Sequence, residues 1–202
     1  MALLNKIKWI LGILMVFVLI IATNLIDKNN FVRVKDSVVT IYEDRLIAKD
    51  LIFKISKDIH KKEIALATKD SVFFSQQNKA VNTHIESLIE RFEKTKLTDV
   101  ENNVFNDFKN NFNALVATEA DLTRLNSQNK VKASSQISAI ENNLDDLAQI
   151  QISEGSKQMS ISKQAIESVE LFTQMEIYVL VILAIIIQVI VIYNPKEEKQ
   201  EE

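Results

Sequence analysis

The sequence predicts an all-α protein, an antiparallel up-down-up-down four-helix bundle whose first and fourth helices are continuous with two transmembrane helices. Three observations predict it. The 202 residues include two glycines and one proline, almost none of the punctuation that hairpins and tight turns require. Two uncharged apolar blocks are each long enough to approach the thickness of a bilayer. Between them, apolar residues recur at three-and-four spacing in four blocks separated by polar stretches.

Residues 1–8 carry Lys6 and Lys8 ahead of the first apolar block, Trp9 to Ile26. As a helix this block extends about 27 Å, close to the hydrocarbon thickness of a membrane, so 9–26 is expected to span. A cleaved signal peptide would also place lysines before an apolar run. This run is longer than a typical signal core, however, and ATNLID lacks the small-x-small cleavage pattern. The second block, 177–193, holds one polar residue, Gln188, and has tyrosines near both ends as interface anchors do. The positive-inside preference puts 1–8 in the cytoplasm, and two spans return the 194–202 tail there. The domain 27–176 is then periplasmic or extracellular, anchored in a bacterial inner (cytoplasmic) membrane.

Within that domain the first stripe is Phe31, Val34, Val38, Ile41, Ala48, Ile52, Ile55, Ile59 and Leu66, with gaps at Arg45 and Lys62. It continues straight out of the first span as one long helix, standing on the order of 60 Å off the membrane. The pattern lapses over ATKDSVFFSQQN and resumes with Val81, Ile85, Leu88 and Phe92 as a second helix. Thr98 and Glu101 have the spacing of a capping box, which starts a third helix with Val104, Phe108, Phe112, Leu115 and Leu122 on its stripe. LNSQNKVKASSQ, 125–136, is polar and long enough to connect antiparallel helices. The fourth stripe, Ile137, Ile140, Leu144, Leu147, Gly155, Met159, Ile166, Val169 and Phe172, leads without a breaker into the second span.

Composition narrows the function. The absence of cysteine excludes disulfides and thiolate chemistry. Net charge is −3, and basic residues interleave with acidic ones, which argues against nucleic acid as a partner. No paired carboxylates in a cleft, serine–histidine–aspartate set or glycine-rich phosphate loop is recognisable, so neither catalysis nor a cofactor is expected. The concentration of Phe73, Phe74, Phe92, Phe105, Phe108 and Phe112 toward the second and third helices reads as a packing core.

IYEDRLIAKDL at 41–51 and LDDLAQIQISEGSKQMS at 144–160, on helices flanked by two spans, resemble the four-helix-bundle ligand-binding domain of methyl-accepting chemotaxis receptors. The Tyr42, Asp44, Arg45, Leu46 cluster and its distance from the first span carry most of the resemblance. The resemblance implies a homodimer that takes small molecules between subunits and transmits a small displacement of the fourth helix through the second span. Such receptors continue into a cytoplasmic linker and a signalling coiled coil, and NPKEEKQEE offers neither. The expectation is therefore a sensor acting through partners, including mixed dimers with full-length chemoreceptors. A structural membrane anchor or scaffold without ligand is the alternative.

Several residues are candidates for a site. Arg45 on the stripe needs a carboxylate, supplied within the bundle or across a dimer, with Asp145 and Asp146 in reach of the argument, or supplied by a ligand. Lys54 and Lys61 are further ligand-binding candidates. The lysines at 54, 57, 61 and 62 otherwise read as solvated charges balanced by Asp58 and Glu63. If the first two helices reverse near Val72, His60 and His84 could face each other with Glu63 one turn away, a set suited to zinc or nickel in ligand type. Gly155 and Gln188 are candidates for helix contact.

Overall fold

The computed structural model describes residues 2–120 and 127–192. Leu122, Tyr193 and the 194–202 tail lie outside the described residues. Among the described residues there is no strand. Helix α1 (Ala2–Thr40) passes through a π-helical stretch (Ile41–Leu46) into α2 (Ile47–Thr68), making one uninterrupted rod. A second π-helical stretch (Phe73–Gln77) leads into α3 (Asn78–Phe92), followed by α4 (Asp99–Ala120) and α5 (Ser127–Ile192). The described residues divide into two units, one within 37–159 and one that brings 2–36 together with 160–192.

In the larger unit the partners of each helix fix its direction. Along α2, Asp58 meets His84 and the later Lys62 meets the earlier Asn78, so α3 runs antiparallel to α2. On α4, Glu101 pairs with Arg45 and Glu119 with Lys62, so α4 runs parallel to the first rod. Glu101 and Asn111 of α4 meet Gln151 and Asn143 of α5 in opposite order, so α5 is antiparallel again. This is the up-down-up-down order. Its core is continuous, with Ile55, Ile85, Phe92, Phe108, Leu115 and Ile140 among its members. The phenylalanines form a stack along α3 and α4, with ring centroids 4.6 Å apart for Phe92–Phe105, 5.9 Å for Phe105–Phe108 and 6.3 Å for Phe108–Phe112. They serve burial, as their helical spacing suggests.

The turns are made without glycine. Helix α2 closes at Lys69, whose φ of 58° lies in the left-handed region, with its N–H on the Ala65 carbonyl. Asp70 then accepts the Phe73 N–H at 3.0 Å and opens the next helix. The break is thus far shorter than the polar ATKDSVFFSQQN stretch suggests, because π-helical turns carry much of that stretch. The capping box forms as expected: the Glu101 N–H donates to Thr98 Oγ1 and the Thr98 N–H to Glu101 Oε2, each at 3.2 Å. The stretch 125–136 is helical from Ser127 onward and buries Ala133, so most of it belongs to α5 and not to a connection.

Two stripes depart from their predicted register. Toward the first apolar block the inward positions are Asn30 and Ser37, while Phe31 and Val38 are exposed at 70% and 55%. The step from Ser37 to the next buried position, Arg45, is one residue longer than a heptad. The π-helical stretch absorbs that residue, so a phase extrapolated through it comes out one position late. On α5 the phase continues unbroken from Leu144 and Leu147 to Gln151, Ser162 and Ala165, all buried. Met159 and Ile166, which the sequence places inward, are exposed. The error there came from following apolar identity across positions where the inward residues are polar or small.

In the smaller unit α1 and α5 lie side by side, and Thr23 donates its hydroxyl to Glu176 Oε1 at 3.2 Å. Both long helices carry a stretch long and apolar enough to cross a membrane, and neither stretch is buried within the chain. Leu14, Phe17, Ile182 and Ile185 all face outward there. Gln188 also faces outward, and a methyl built on Gly155 would meet nothing within 4 Å inside this chain.

Phe112→Asp tests the core register. It would place an unpaired carboxylate at a position 1% exposed, a cost of about several kcal/mol against a domain stability of about 5–15 kcal/mol. The expected outcome is loss of the cooperative helical melt by circular dichroism; an unaltered melt would put Phe112 on the surface.

Candidate functional site

Buried ion pairs join the first rod to α4 at two levels, and the first is built on the π-helical stretch. Widening the helix there presents Asp44 and Arg45 to the α3–α4 connection, where the Lys96 N–H donates to Asp44 Oδ1 at 3.1 Å and Arg45 Nη2 donates to the Lys96 carbonyl at 3.1 Å. The other arm of the guanidinium donates to Glu101 Oε2 at 2.9 Å and to Gln151 Oε1 at 3.2 Å. Gln151 in turn donates to Glu101 Oε1. Glu101 is fully buried, Arg45 and Gln151 nearly so, and Arg45 Nε has no partner. Asp145 and Asp146, the carboxylates suggested by sequence as the arginine's partners, are exposed; the acid is Glu101 of the capping box, which serves both purposes.

The second level repeats the design. Lys62 Nζ donates to both Glu119 oxygens at 2.8 Å and to Asn78 Oδ1, while Asn78 Nδ2 donates to Glu119 Oε2 at 2.9 Å. Lys62 has no exposed surface at all. Its reading as a solvated charge is therefore corrected: it occupies a gap in the stripe because the gap holds an ion pair. Burial pushes its ammonium below the usual lysine value, against the charge and hydrogen bonds of Glu119, which pull it back up.

Asp58, read by sequence as a surface counter-ion, is also buried. Lys61 Nζ reaches its Oδ1 at 2.6 Å and His84 Nδ1 meets its Oδ2 at 2.5 Å. Burial raises the Asp58 pKa, but hydrogen bonds and charge from Lys61 and His84 outweigh burial and bring it below the usual carboxylate value. Lys54 forms a surface pair with Asp50 at 2.6 Å. The three ligand candidates are thus dispersed: Arg45 is enclosed in the first level, Lys61 sits over Asp58, and Lys54 lies on the surface.

The histidines part company as well. His84 belongs with Asp58, whereas His60 Nδ1 lies 2.9 Å from Glu63 Oε2. Glu141 of α5 joins the latter pair, and ligand atoms of His60, Glu63 and Glu141 all lie within 4.8 Å of one another. Burial and then the charge of Glu63 hold the Glu141 carboxyl above its ordinary value, with Asp145 adding to the rise and His60 opposing it. Sequence reasoning missed Glu141, because nothing along the chain relates α5 to α2 until their register is known.

Residues 2–166 match the family described as a four helix bundle sensory module for signal transduction. No curated protein and no solved structure matches the chain.

Glu119→Gln should destabilise the protein by about 3–5 kcal/mol, because it strands a buried ammonium. Lys62→Met and Glu119→Met combined with Asn78→Leu should recover most of that loss in a denaturant melt, since removing both charges and the amide that bonds to them leaves none of the three stranded. Asp58 gives a pH test. Its folded pKa is depressed, so its contribution is full above the unfolded value near 4 and disappears as pH falls through the lower folded value. Asp58→Asn should melt below the parent at pH 7, and the gap should close as pH drops below about 4.

Proposed function

Because the chain belongs to the four-helix-bundle sensory modules of chemotaxis receptors, we propose that it is a membrane-anchored sensor that detects a chemical signal outside the cell and passes it on through partner proteins. The family is a sensory module and not a catalytic domain. Its two apolar helices together with that module indicate a membrane protein. In this proposal 9–26 and 177–193 span a bacterial inner membrane, 27–176 stands outside, and both ends lie in the cytoplasm. Lys6 and Lys8 support that orientation through the positive-inside preference.

The observation that carries the reading is the match over 2–166, which takes in the first apolar segment and the bundle together. Partnering is part of the proposal. Phe31, Val38, Tyr42 and Phe53 expose large apolar surface along the first rod, a face suited to a second copy or to another receptor of the family. Arg45 enters this reading as a positioning group, because both terminal nitrogens of its guanidinium already donate within the bundle, to Glu101, Gln151 and the Lys96 carbonyl.

Single cysteines test the arrangement in intact cells. Ser138→Cys should react with a membrane-impermeant thiol reagent once the outer layer is permeable, and Asn5→Cys should stay protected; labelling of Asn5→Cys would end the two-span proposal. Cysteines at Phe31, Val38 and Tyr42 should trap disulfide-linked dimers. Monomer alone at all three would favour a solitary anchor instead.

A further inference from the structure

On the surface of the larger unit, one imidazole and two carboxylates converge from two helices that are distant in sequence. We infer that His60, Glu63 and Glu141 form a binding site for a divalent transition-metal cation, with zinc the ion that fits best. His60 and Glu63 stand one turn apart on α2 and Glu141 projects from α5, so three ligand atoms lie within 4.8 Å of one another. Donors around a zinc ion at bond lengths of about 2.0–2.2 Å are roughly 3–4 Å apart. His60 and Glu63, exposed over 65% and 46% of their side-chain surface, are free enough to rotate toward that spacing.

Charge favours a cation here. Glu63 and Glu141 place two carboxylates together, and Asp145 stands one turn further along α5. The neighbouring ammonium groups are engaged elsewhere: Lys61 bonds to Asp58, and Lys62 is enclosed with Glu119. An external cation would therefore meet acids whose sequence-adjacent lysines, Lys61 and Lys62, have other partners.

The donor set selects the metal class. One nitrogen and two carboxylate oxygens with no thiolate suit zinc: imidazole favours it over the oxygen-preferring magnesium and calcium, and the first-row transition-metal order places manganese below it, with copper(II) the one ion of that order expected to compete more strongly. The open side of the cluster leaves room for water to complete four-coordination. The site differs from the sequence-based grouping of His60 and Glu63 with His84, whose ring is held by Asp58.

Binding would tie the first rod to α5. Both helices continue into the apolar segments, so an ion that fixes their relative slide is suited to serve as an input; that use rests on the sensory reading, whereas the binding site does not. The full chain, chelator-treated in detergent micelles, should take up one saturable zinc ion in competition with a chromophoric chelator at pH 7. His60→Ala and Glu141→Gln should each weaken it by about tenfold or more, with helical melts confirming that both variants fold. His84→Ala should leave the affinity unchanged, and millimolar magnesium should not compete. Zinc uptake insensitive to both His60→Ala and Glu141→Gln, or weakened equally by His84→Ala, overturns the site. Nitroxide labels on the exposed Leu25 and Leu171 separate the second part: a zinc-dependent change in their spectrum that His60→Ala abolishes supports signalling use. Binding with no such change overturns that use and leaves the metal site standing.

Discussion

Two buried cross-helix ion pairs set the register on which the rest of the bundle depends. Arg45–Glu101 and Lys62–Glu119 each join the first rod to α4, over sequence separations of 56 and 57 residues, and each is completed by an amide, Gln151 or Asn78, from another helix. Leucine, isoleucine and phenylalanine can slide past one another with modest penalty, because packing tolerates hydrophobic residues of similar volume. A buried charge cannot, since a slip of one turn would strand it at a penalty of about 3–5 kcal/mol. The apolar core from Leu51 to Ile59 lies between the two levels. The pairs therefore select one alignment among several that the core alone would accept, the best-attested role for buried polar groups.

The π-helical stretch solves a geometric problem at the first of those levels. Arg45 must face Glu101 and Gln151 while its neighbour Asp44 takes the Lys96 N–H, so two consecutive residues have to address the same α3–α4 connection. An ordinary helix turns successive side chains about 100° apart. A wider turn brings them closer together and inserts the residue that shifts Asn30 and Ser37 inward in place of Phe31 and Val38. One local distortion thus accounts both for the polar level and for the exposed apolar face below it.

What the sequence made legible follows the same physics. The fold class, the capping box at Thr98 and Glu101 and the phenylalanine core were readable because each rests on local spacing. The need of Arg45 for a carboxylate is readable too, but its partner is not, because Glu101 lies 56 residues away and is brought to it only by the packing of α4. Lys62 was misread by composition, as one lysine among four, although it interrupts the stripe just as Arg45 does. Glu141 and the division of the two histidines required the register of α2 against α5, which depends on contacts remote in sequence. The extent of α5 was hidden by polar residues in 127–136 that face outward around the buried Ala133.

The two units differ in how firmly they are held. In the larger one, large apolar side chains and two ion-pair levels close the interior. In the smaller one, the inward positions are Asn30, Ser162 and Ala165, and Ser162 Oγ is buried without a partner. Small and polar side chains bury little apolar area, so at roughly 25 cal/mol per Å² this seam contributes far less than a leucine and phenylalanine core. A weakly held seam permits displacement because few contacts must break for one helix to move along the other. Helix α5 passes without a break from the firmly packed unit into the loosely packed one. In a sensor of the proposed kind, displacement of α5 would therefore meet less resistance within the smaller unit than within the larger one.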